Sequence, residues 1–414
     1  MSASAPAGAP ETDSSRAPAA RAGFFGYSRN FWLVFWATFA LNLSSNLFVL
    51  FPVFLVGLGA DAGTIGAVIG TFSLAALAGR PAVGWLLDRN GHQRTAAWLL
   101  VLDVFVMVLY LTLHQLGWSI YGVRALHGLV EGTARVALFA MVYELLPEGR
   151  AGEAMAMFSL CGMGSAGLSP IFGEWVIKHS GFPAFFASAI ALTLVAALAA
   201  RMLPDDRAAV RALAASRPAN GGPGYATLLR DPALAPLWIV TLLFSLSISS
   251  RVSFVAPYAY QRGLSQVGSY FAIYAGMAVV IRAVGSRLMD RVGLERMVPP
   301  SLLVLAVGMA MIAGSGMFGM LEFSAVVGGL GHGYLYPVLS ALVILRTQTN
   351  ATGRSASIYS SLYDLGGMMG PYALGATANF LGYGPTFLIS GALALAGGLY
   401  FAAVEPEAFR RRLA

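Results

Sequence analysis

Apolar residues fall in long blocks separated by short polar turns, approximately at 31–58, 64–87, 95–114, 119–146, 154–178, 182–203, 235–262, 266–289, 297–317, 320–345, 355–381 and 385–404. Each block is long enough to cross the hydrocarbon of a bilayer as a helix, which takes about 20 residues. The blocks are apolar throughout and do not alternate, so they do not read as the strands of a membrane barrel, and a lipid-exposed backbone must satisfy its own hydrogen bonds. The pattern predicts an all-α polytopic membrane protein with twelve transmembrane helices. A polar break at 204–234, with Pro204, Asp205, Asp206 and the run Asn220-Gly221-Gly222-Pro223-Gly224, divides the spans into an N-terminal bundle, 31–203, and a C-terminal bundle, 235–404, joined by a cytoplasmic linker. Residues 1–30, rich in Ala, Ser and Pro with no apolar core of a leader, are expected to be a disordered cytoplasmic tail, and 405–414 a basic one.

The two bundles carry a repeat. Arg80 leads to Gly84-Trp85-Leu86-Leu87-Asp88-Arg89-Asn90-Gly91, and Arg282 leads, at the same spacing, to Asp290-Arg291-Val292-Gly293. Asp88 and Asp290 are offset by 202 residues; Pro170 and Pro371, Gly128 and Gly329, Gly132 and Gly333, and Phe186 and Phe387 are offset by 201. An offset this constant points to duplication, and parallel repeats about an axis along the membrane normal are one way to build an alternating-access transporter.

Composition narrows the function classes. Hydrophobic residues make up 57% of the chain and charged ones 11%, far below a soluble domain. Arginines cluster in alternate loops (Arg16, Arg21 and Arg29; Arg89 and Arg94; Arg150; Arg207, Arg211, Arg217 and Arg230; Arg287, Arg291 and Arg296; Arg346 and Arg354; Arg410 to Arg412), which places those loops and both termini in the cytoplasm. The net charge of +7 therefore reflects topology and anionic inner-leaflet lipid, with no nucleic acid implied. The sole lysine, Lys178, leaves no phosphate-binding Gly-x-x-x-x-Gly-Lys loop for a primary pump. Five scattered histidines and the lone Cys161 offer neither a metal site nor a catalytic cluster, so no enzyme and no cofactor are expected. Trp32, Trp36, Trp118, Trp175 and Trp238 fall near predicted interfaces as anchors.

The loop motif after the second span, Gly84-x-Leu86-x-Asp88-Arg89-x-Gly91 with Arg94 following, resembles that of the major facilitator superfamily, with His92 and Gln93 in place of its usual basic pair. Arg124, Gly128 and Gly132 resemble its fourth-span motif. Gly162, Gly167, Pro170 and Gly173 form only a partial version of its exporters' fifth-span motif, because Pro170 does not follow Gly167 directly; a cleaner version, Gly366-Gly367-Met368-Met369-Gly370-Pro371 with Gly375, lies in span eleven. The resemblance covers about residues 31–404 and points to the twelve-helix, proton-coupled efflux branch. It implies a cytoplasmic gate at Asp88 and Arg89 with Gly84, Gly91 and Arg94, a part for Arg124 in proton coupling, and a cavity lined by span four. By the repeat, the gate extends to Asp290, Arg291 and Gly293. Pro170 and Pro371, with Gly162, Gly167, Gly370 and Gly375, would bend and pack their helices so the bundles can rock.

Span four concentrates charge: Arg124, His127, Glu131 and Arg135 recur at three- and four-residue intervals and share one helix face. Ionisable side chains in a bilayer are expensive enough to need a cavity or an opposite charge. Arg124, His127 and Glu131 are therefore candidates for proton coupling, with His332 and Asp364 in the second half; Arg135, Arg251, Tyr336, Tyr359, Tyr363, Asn42 and Asn46 are candidates for the substrate cavity, although interhelical hydrogen bonding explains Asn42 and Asn46 equally well. Asp103, alone in span three, reads as structural.

The expected function is proton-coupled export of a small organic solute by alternating access. The excess of arginine over carboxylate on spans four and seven suggests a solute with an anionic group, unless Arg124 and Arg135 are both neutralised internally. Proton-driven uptake of a metabolite or sugar uses the same residues, and a non-transporting receptor or scaffold is the reading from another class. The expected partners are the solute, protons and membrane lipid, with the chain acting as a monomer in a bacterial inner membrane.

Overall fold

A computed structural model describes residues 27–145, 151–208, 210, 223–264, 267–316, 318–348 and 351–406, and the side chains of Asp88, Asp290 and Arg291 lie outside what is described. Most of the expected tails, 1–26 and 407–414, and Arg150, Arg211 and Arg217 also lie outside it. Helices joined by tight turns make up the described chain, with no strand among those residues.

Helix α1 (Arg29–Leu47) runs through a 3-10 turn, Phe48–Leu50, into α2 (Phe51–Gly57), and the pair makes one crossing. Then come α3 (Ala62–Asn90), α4 (His92–Leu109), α5 (Trp118–Glu144), α6 (Ala151–Arg201), α7 (Tyr225–Leu229), α8 (Ala235–Gln261), α9 (Val267–Val292), α10 (Leu294–Gly314), α11 (Phe318–Arg346), α12 (Thr352–Leu381) and α13 (Tyr383–Val404). A straight helix of the 51 residues of α6 would reach more than twice the roughly 30 Å of the hydrocarbon core. It instead turns back at Gly181, where φ is 75° and ψ is −177°, and makes two crossings. Helix α12 lies against α3 of the first half and α8 of its own. Twelve crossings result, and their ends fall within a few residues of the apolar blocks.

The chain begins its first helix slightly before the apolar block. The Ser28 hydroxyl accepts from the Phe31 amide at 3.2 Å, and Tyr27 stacks on Phe31 and meets Trp32 edge-on, a cap and staple that start α1 at Arg29. Asp61 caps α3 in the same way, accepting from the Thr64 amide at 2.7 Å, and that hydrogen bond holds its carboxyl below the usual range.

The duplication is visible in the corners and in the packing. Gly91 and Gly293, with φ of 78° and 90°, each make a one-residue turn, and Gly181 and Gly382, with φ of 75° and 84°, do the same at the other end; a side chain at any of the four would be strained. In the first half α3 and α4 pack on α5, and α4 on α6; in the second α9 and α10 pack on α11, and α10 on α13.

Two seams join the halves, α3 against α12 and α6 against α9. At the arginine-poor end both are closed by backbone approaching backbone. A Cβ on Gly66 would strike the Pro371 carbonyl, one on Gly375 would lie 2.8 Å from the Ala62 carbonyl, and one on Gly268 would lie 2.8 Å from Ile171 Cα. Asn379 accepts from the Gly63 amide at 2.8 Å, and the Thr71 and Tyr372 hydroxyls meet at 2.9 Å. Glu174 of α6 accepts from the Val267 and Gly268 amides at 2.9 and 2.6 Å, placing a carboxylate on the positive end of α9. Further along the α6–α9 seam Gly167 lies against Ala272 and Ala275, and Gly162, nearer the arginine-rich end of α6, has open space around it.

The linker is partly structured. Trp238 donates from Nε1 to the Leu228 carbonyl at 3.1 Å and is buried, which makes it a strut for α7 and not the membrane-interface anchor expected of it. Trp36, Trp118 and Trp175 are exposed, as anchors require. Asp206 accepts from the His92 and Gln93 amides at 3.1 and 3.2 Å and lies 3.1 Å from His92 Nδ1, so it caps α4 from the far end of α6. Burial alone would raise its carboxyl, but these donors hold it below the usual carboxylate range.

Two outcomes follow. Glu174→Gln weakens the latch by about 1 kcal/mol, enough to shift the closed-to-open ratio about fivefold; spin labels at positions 178 and 260 should show a larger long-distance population, and an unchanged distribution would mean the latch carries no energy. Asp206→Ala costs about 1 kcal/mol of stability at neutral pH. Because the folded carboxyl lies below its unfolded value, its stabilisation is present above about pH 4 and lost as pH falls, so the melting-temperature deficit of the variant should shrink under acid.

Candidate functional site

The charged stripe of α5 folds into a buried relay with α4 and α1. Arg135 is ion-paired with Glu131, donates to Asn42 Oδ1 at 2.7 Å and donates to the Ser45 hydroxyl at 2.9 Å. The second Glu131 oxygen lies 3.0 Å from His127 Nε2, out of line for a hydrogen bond. His127 Nδ1 meets the Tyr110 hydroxyl at 2.9 Å, and that hydroxyl accepts from Arg124 at 3.3 Å. A phenol that accepts from arginine has its proton free to donate to Nδ1, which assigns the neutral imidazole proton to Nε2, facing Glu131. Glu131 and His127 are fully enclosed, whereas Arg135 keeps 35% of its side chain exposed and forms the open end of the relay.

Arg124 is 4% exposed and meets no carboxylate among the described residues; its guanidinium lies over Phe48, Phe51 and Phe72, 4.6 Å from the Phe72 centroid. Aromatic faces offer a cation electrostatic attraction that does not neutralise it. Arg135 is neutralised by Glu131 and Arg124 is walled in, so the α5 arginines present no free cation to a solute, and that part of the argument for an anionic solute is withdrawn. Arg251, over Tyr274 at 3.9 Å and Phe271 at 5.7 Å, and Arg282, which donates to the Gly333 carbonyl at 2.9 Å, are without a carboxylate among the described residues.

Asp364 is ion-paired with Arg80, which also donates to the Ser361 hydroxyl at 2.9 Å. This is the ion pair among the described residues that joins α3 to α12, and so one half to the other; both side chains remain partly exposed. Around it Tyr336 packs its ring against Tyr359 and Tyr363, Tyr359 donates to the Tyr336 carbonyl at 2.9 Å, and His332 meets the Tyr274 hydroxyl at 2.9 Å. Asn42 and Asn46 are engaged within the protein: Asn46 donates to the Asn42 carbonyl at 2.8 Å and to Ser165 at 3.1 Å.

The gate residues are placed more loosely. Gly84 and Arg94 are exposed, and Arg89 is exposed with its guanidinium 5.4 Å from the Trp85 ring. Gly91 packs against Asp206 and Arg207. Gly167 lies against Ala272 and Ala275 of α9, Gly370 against Ser249, and Pro371 against Gly66, which puts these positions in the seams between helices; Pro170 is buried in α6.

Arg80, Tyr110, Tyr274, Arg282 and Glu174 were not singled out as site residues from the sequence. The repeated Arg80 and Arg282 were visible as a pattern, but nothing in one dimension shows that Arg80 crosses to the other half while Arg282 stays in its own. Asp103 is fully buried, with Oδ1 3.9 Å from His127 Nε2.

A model of the Major Facilitator Superfamily matches residues 31–313 and 263–413. Relatives include the multidrug resistance protein MdtG of Enterobacter lignolyticus, 25% identical over 346 residues that cover 80% of this chain and 79% of that one, and MdtG of Citrobacter koseri, 26% identical over 350 residues that cover 80% and 82%. Among solved structures, the nucleoside transporter NupG superposes with a TM-score of 0.75 at 14% identity, over 91% of this chain and 100% of that one. The peptide transporter POT bound to alafosfalin superposes with 0.78 at 16%, over 94% and 97%. Those two likenesses show the fold.

The ion pair between the halves has a direct test. Arg80→Gln and Asp364→Asn each strand a partner and should lower the melting temperature in detergent, while the double variant recovers part of the loss, with a coupling energy of about 1 kcal/mol. Strictly additive losses would mean the two side chains do not interact.

Proposed function

The chain belongs to the major facilitator superfamily, and on that premise we propose that this integral, multi-pass transporter exports a small organic solute in exchange for protons. The observation that carries the reading is the Arg80–Asp364 pair, a carboxylate and an arginine that tie the two halves together at a partly open position. A proton taken up by Asp364 makes it a neutral acid, removes the attraction to Arg80, and frees α3 from α12 on that side. Proton binding and bundle rocking thereby become one event. Glu131 offers a second carboxylate, reached from the open end of the relay through Arg135.

The arginine-rich turns lie in the cytoplasm with both termini, in a bacterial inner membrane, so the conformer is closed outside by Glu174 and the glycine seams and open inside. The solute enters there. Its anionic group seats on Arg251 and Arg282, whose charge no described carboxylate meets, and its apolar part lies against Tyr336, Tyr359 and Tyr363. The relatives named as multidrug resistance proteins support export. One chain supplies both halves of the gate, so a monomer suffices.

The test is flux in liposomes holding the purified protein, under an imposed pH gradient, with a panel of small carboxylates, amphipathic cations and neutral sugars. One class should move against the direction of proton flow, and Asp364→Asn or Glu131→Gln should abolish the gradient dependence. If both variants transport normally with the wild-type pH profile, proton coupling through these residues is wrong. Flux along the proton gradient would assign uptake instead, and no flux for any class would favour a receptor. For a carboxylate substrate, Arg251→Gln should raise KM about tenfold, the equivalent of about 1.4 kcal/mol.

A further inference from the structure

Asp103 lies at the middle of α4, fully buried, and neither carboxyl oxygen has a hydrogen-bond partner. His127 Nε2 lies 3.9 Å from Asp103 Oδ1 and faces the second Glu131 oxygen at 3.0 Å as well. An ionised carboxylate stripped of water and of every hydrogen bond is far costlier than a neutral acid in the same place. Helix α5 brings Arg124, His127, Glu131 and Arg135 toward Asp103, and Tyr110 follows on the turn after α4. The other two elements packed on α4 bring nothing ionisable at this depth, since α3 has none between Ala62 and Gly79 and α6 none between Phe182 and Ala200.

We propose that Asp103 is a proton-binding site, its carboxyl sharing one exchangeable proton with His127 and Glu131 at the contact of α4 and α5. With the proton on, Asp103 is a neutral acid and its lack of donors is tolerable. With the proton off, the two carboxylates of Asp103 and Glu131 balance the two guanidiniums of Arg124 and Arg135, but the Asp103 oxygens then require a donor. His127 Nε2–H can serve only if the gap of 3.9 Å closes. Proton loss therefore draws α4 toward α5, or turns the ring from Glu131 to Asp103. The proton leaves by way of Glu131 and out past the exposed side of Arg135: His127 passes its Nε2 proton to Glu131 and takes the Asp103 proton on the same nitrogen, so the ring ends neutral and Tyr110 keeps its own proton. The exit lies at Arg135, the one member of the relay with a third of its side chain open.

Proton binding at Asp103 stands on burial and distance alone; its role in transport rests on the proton-coupled reading above. Infrared difference spectra of the full chain in liposomes, recorded across pH steps in H2O and D2O, should show a protonated-carboxyl band near neutral pH that shifts on deuteration. That band should vanish in Asp103→Asn, persist in Asp364→Asn and move in His127→Gln. Its absence from the wild type, or its survival in Asp103→Asn, overturns the assignment. Should Asp103→Asn fail to fold, Asp103→Glu and His127→Gln must still displace the band, and an unmoved band in both overturns it equally.

The second arm uses whichever panel compound the wild type transports. Asp103→Asn should keep solute-for-solute exchange, which needs no net proton movement, and lose pH-driven flux, with Asp103→Glu restoring part of it. Loss of exchange together with driven flux, without rescue by Asp103→Glu, marks a purely structural residue and overturns the role in coupling. If the Asp103 band is present while no panel compound moves in the wild type, the transport reading fails and the proton site stands.

Discussion

A charge inside a bilayer has to be met from within the protein, and the arrangement of this chain follows from how each charge is met. Span four alone carries Arg124, His127, Glu131 and Arg135, a load that would prevent insertion if it faced lipid. The solution is a relay that ties most of these groups to neighbours: Arg135 to Glu131, Asn42 and Ser45, and Tyr110 between Arg124 and His127. These contacts fix the positions of α1, α4 and α5 relative to one another. Outside the relay, the second-half arginines Arg251 and Arg282 carry charge that no described carboxylate meets.

The seams between the halves obey a different constraint. Helices in lipid gain no hydrophobic drive from meeting, so close approach depends on small residues and polar contacts. At one end glycines allow backbone to touch backbone at Gly66, Gly268 and Gly375, and Glu174 adds a charged cap. Toward the other end Gly162 faces open space and the Arg80–Asp364 pair joins α3 to α12. Contacts of packing close one end and a contact of charge spans the other, so in the proposed exchange a proton acts on the second and leaves the first nearly untouched.

Much of this architecture could be read in one dimension because it is periodic or repetitive. The twelve apolar blocks match the crossings, and the 202-residue offset of Gly91 and Gly293 reappears as a pair of left-handed turns. The α5 stripe was legible because i, i+3 and i+4 spacing already defines a face. What was not legible depends on contacts between distant segments. Asp103 sits alone in its span, and only the folded chain brings it to His127; Trp238 looks like an interface anchor until α7 is seen packed on it. Arg80 belongs to a visible repeat, but the repeat says nothing about a partner 284 residues away.

The duplication supplies a common frame in which the halves have diverged chemically. Phe72 of α3 and Tyr274 of α9 are 202 residues apart, and each carries a guanidinium on its face, Arg124 at 4.6 Å and Arg251 at 3.9 Å. In the first half that cation sits among phenylalanines and is linked through Tyr110 to His127 of the relay; in the second it sits among tyrosines with no described carboxylate near it. Arg80 and Arg282 diverge likewise, one crossing to the opposite half and the other held by a backbone carbonyl of its own. A symmetric frame suits rocking of the halves about one axis, and in the proposed exchange the unequal chemistry lets a proton and a solute each act on its own side. Coupling requires that difference, because two halves answering identically to one ligand would have no means of exchanging it for another.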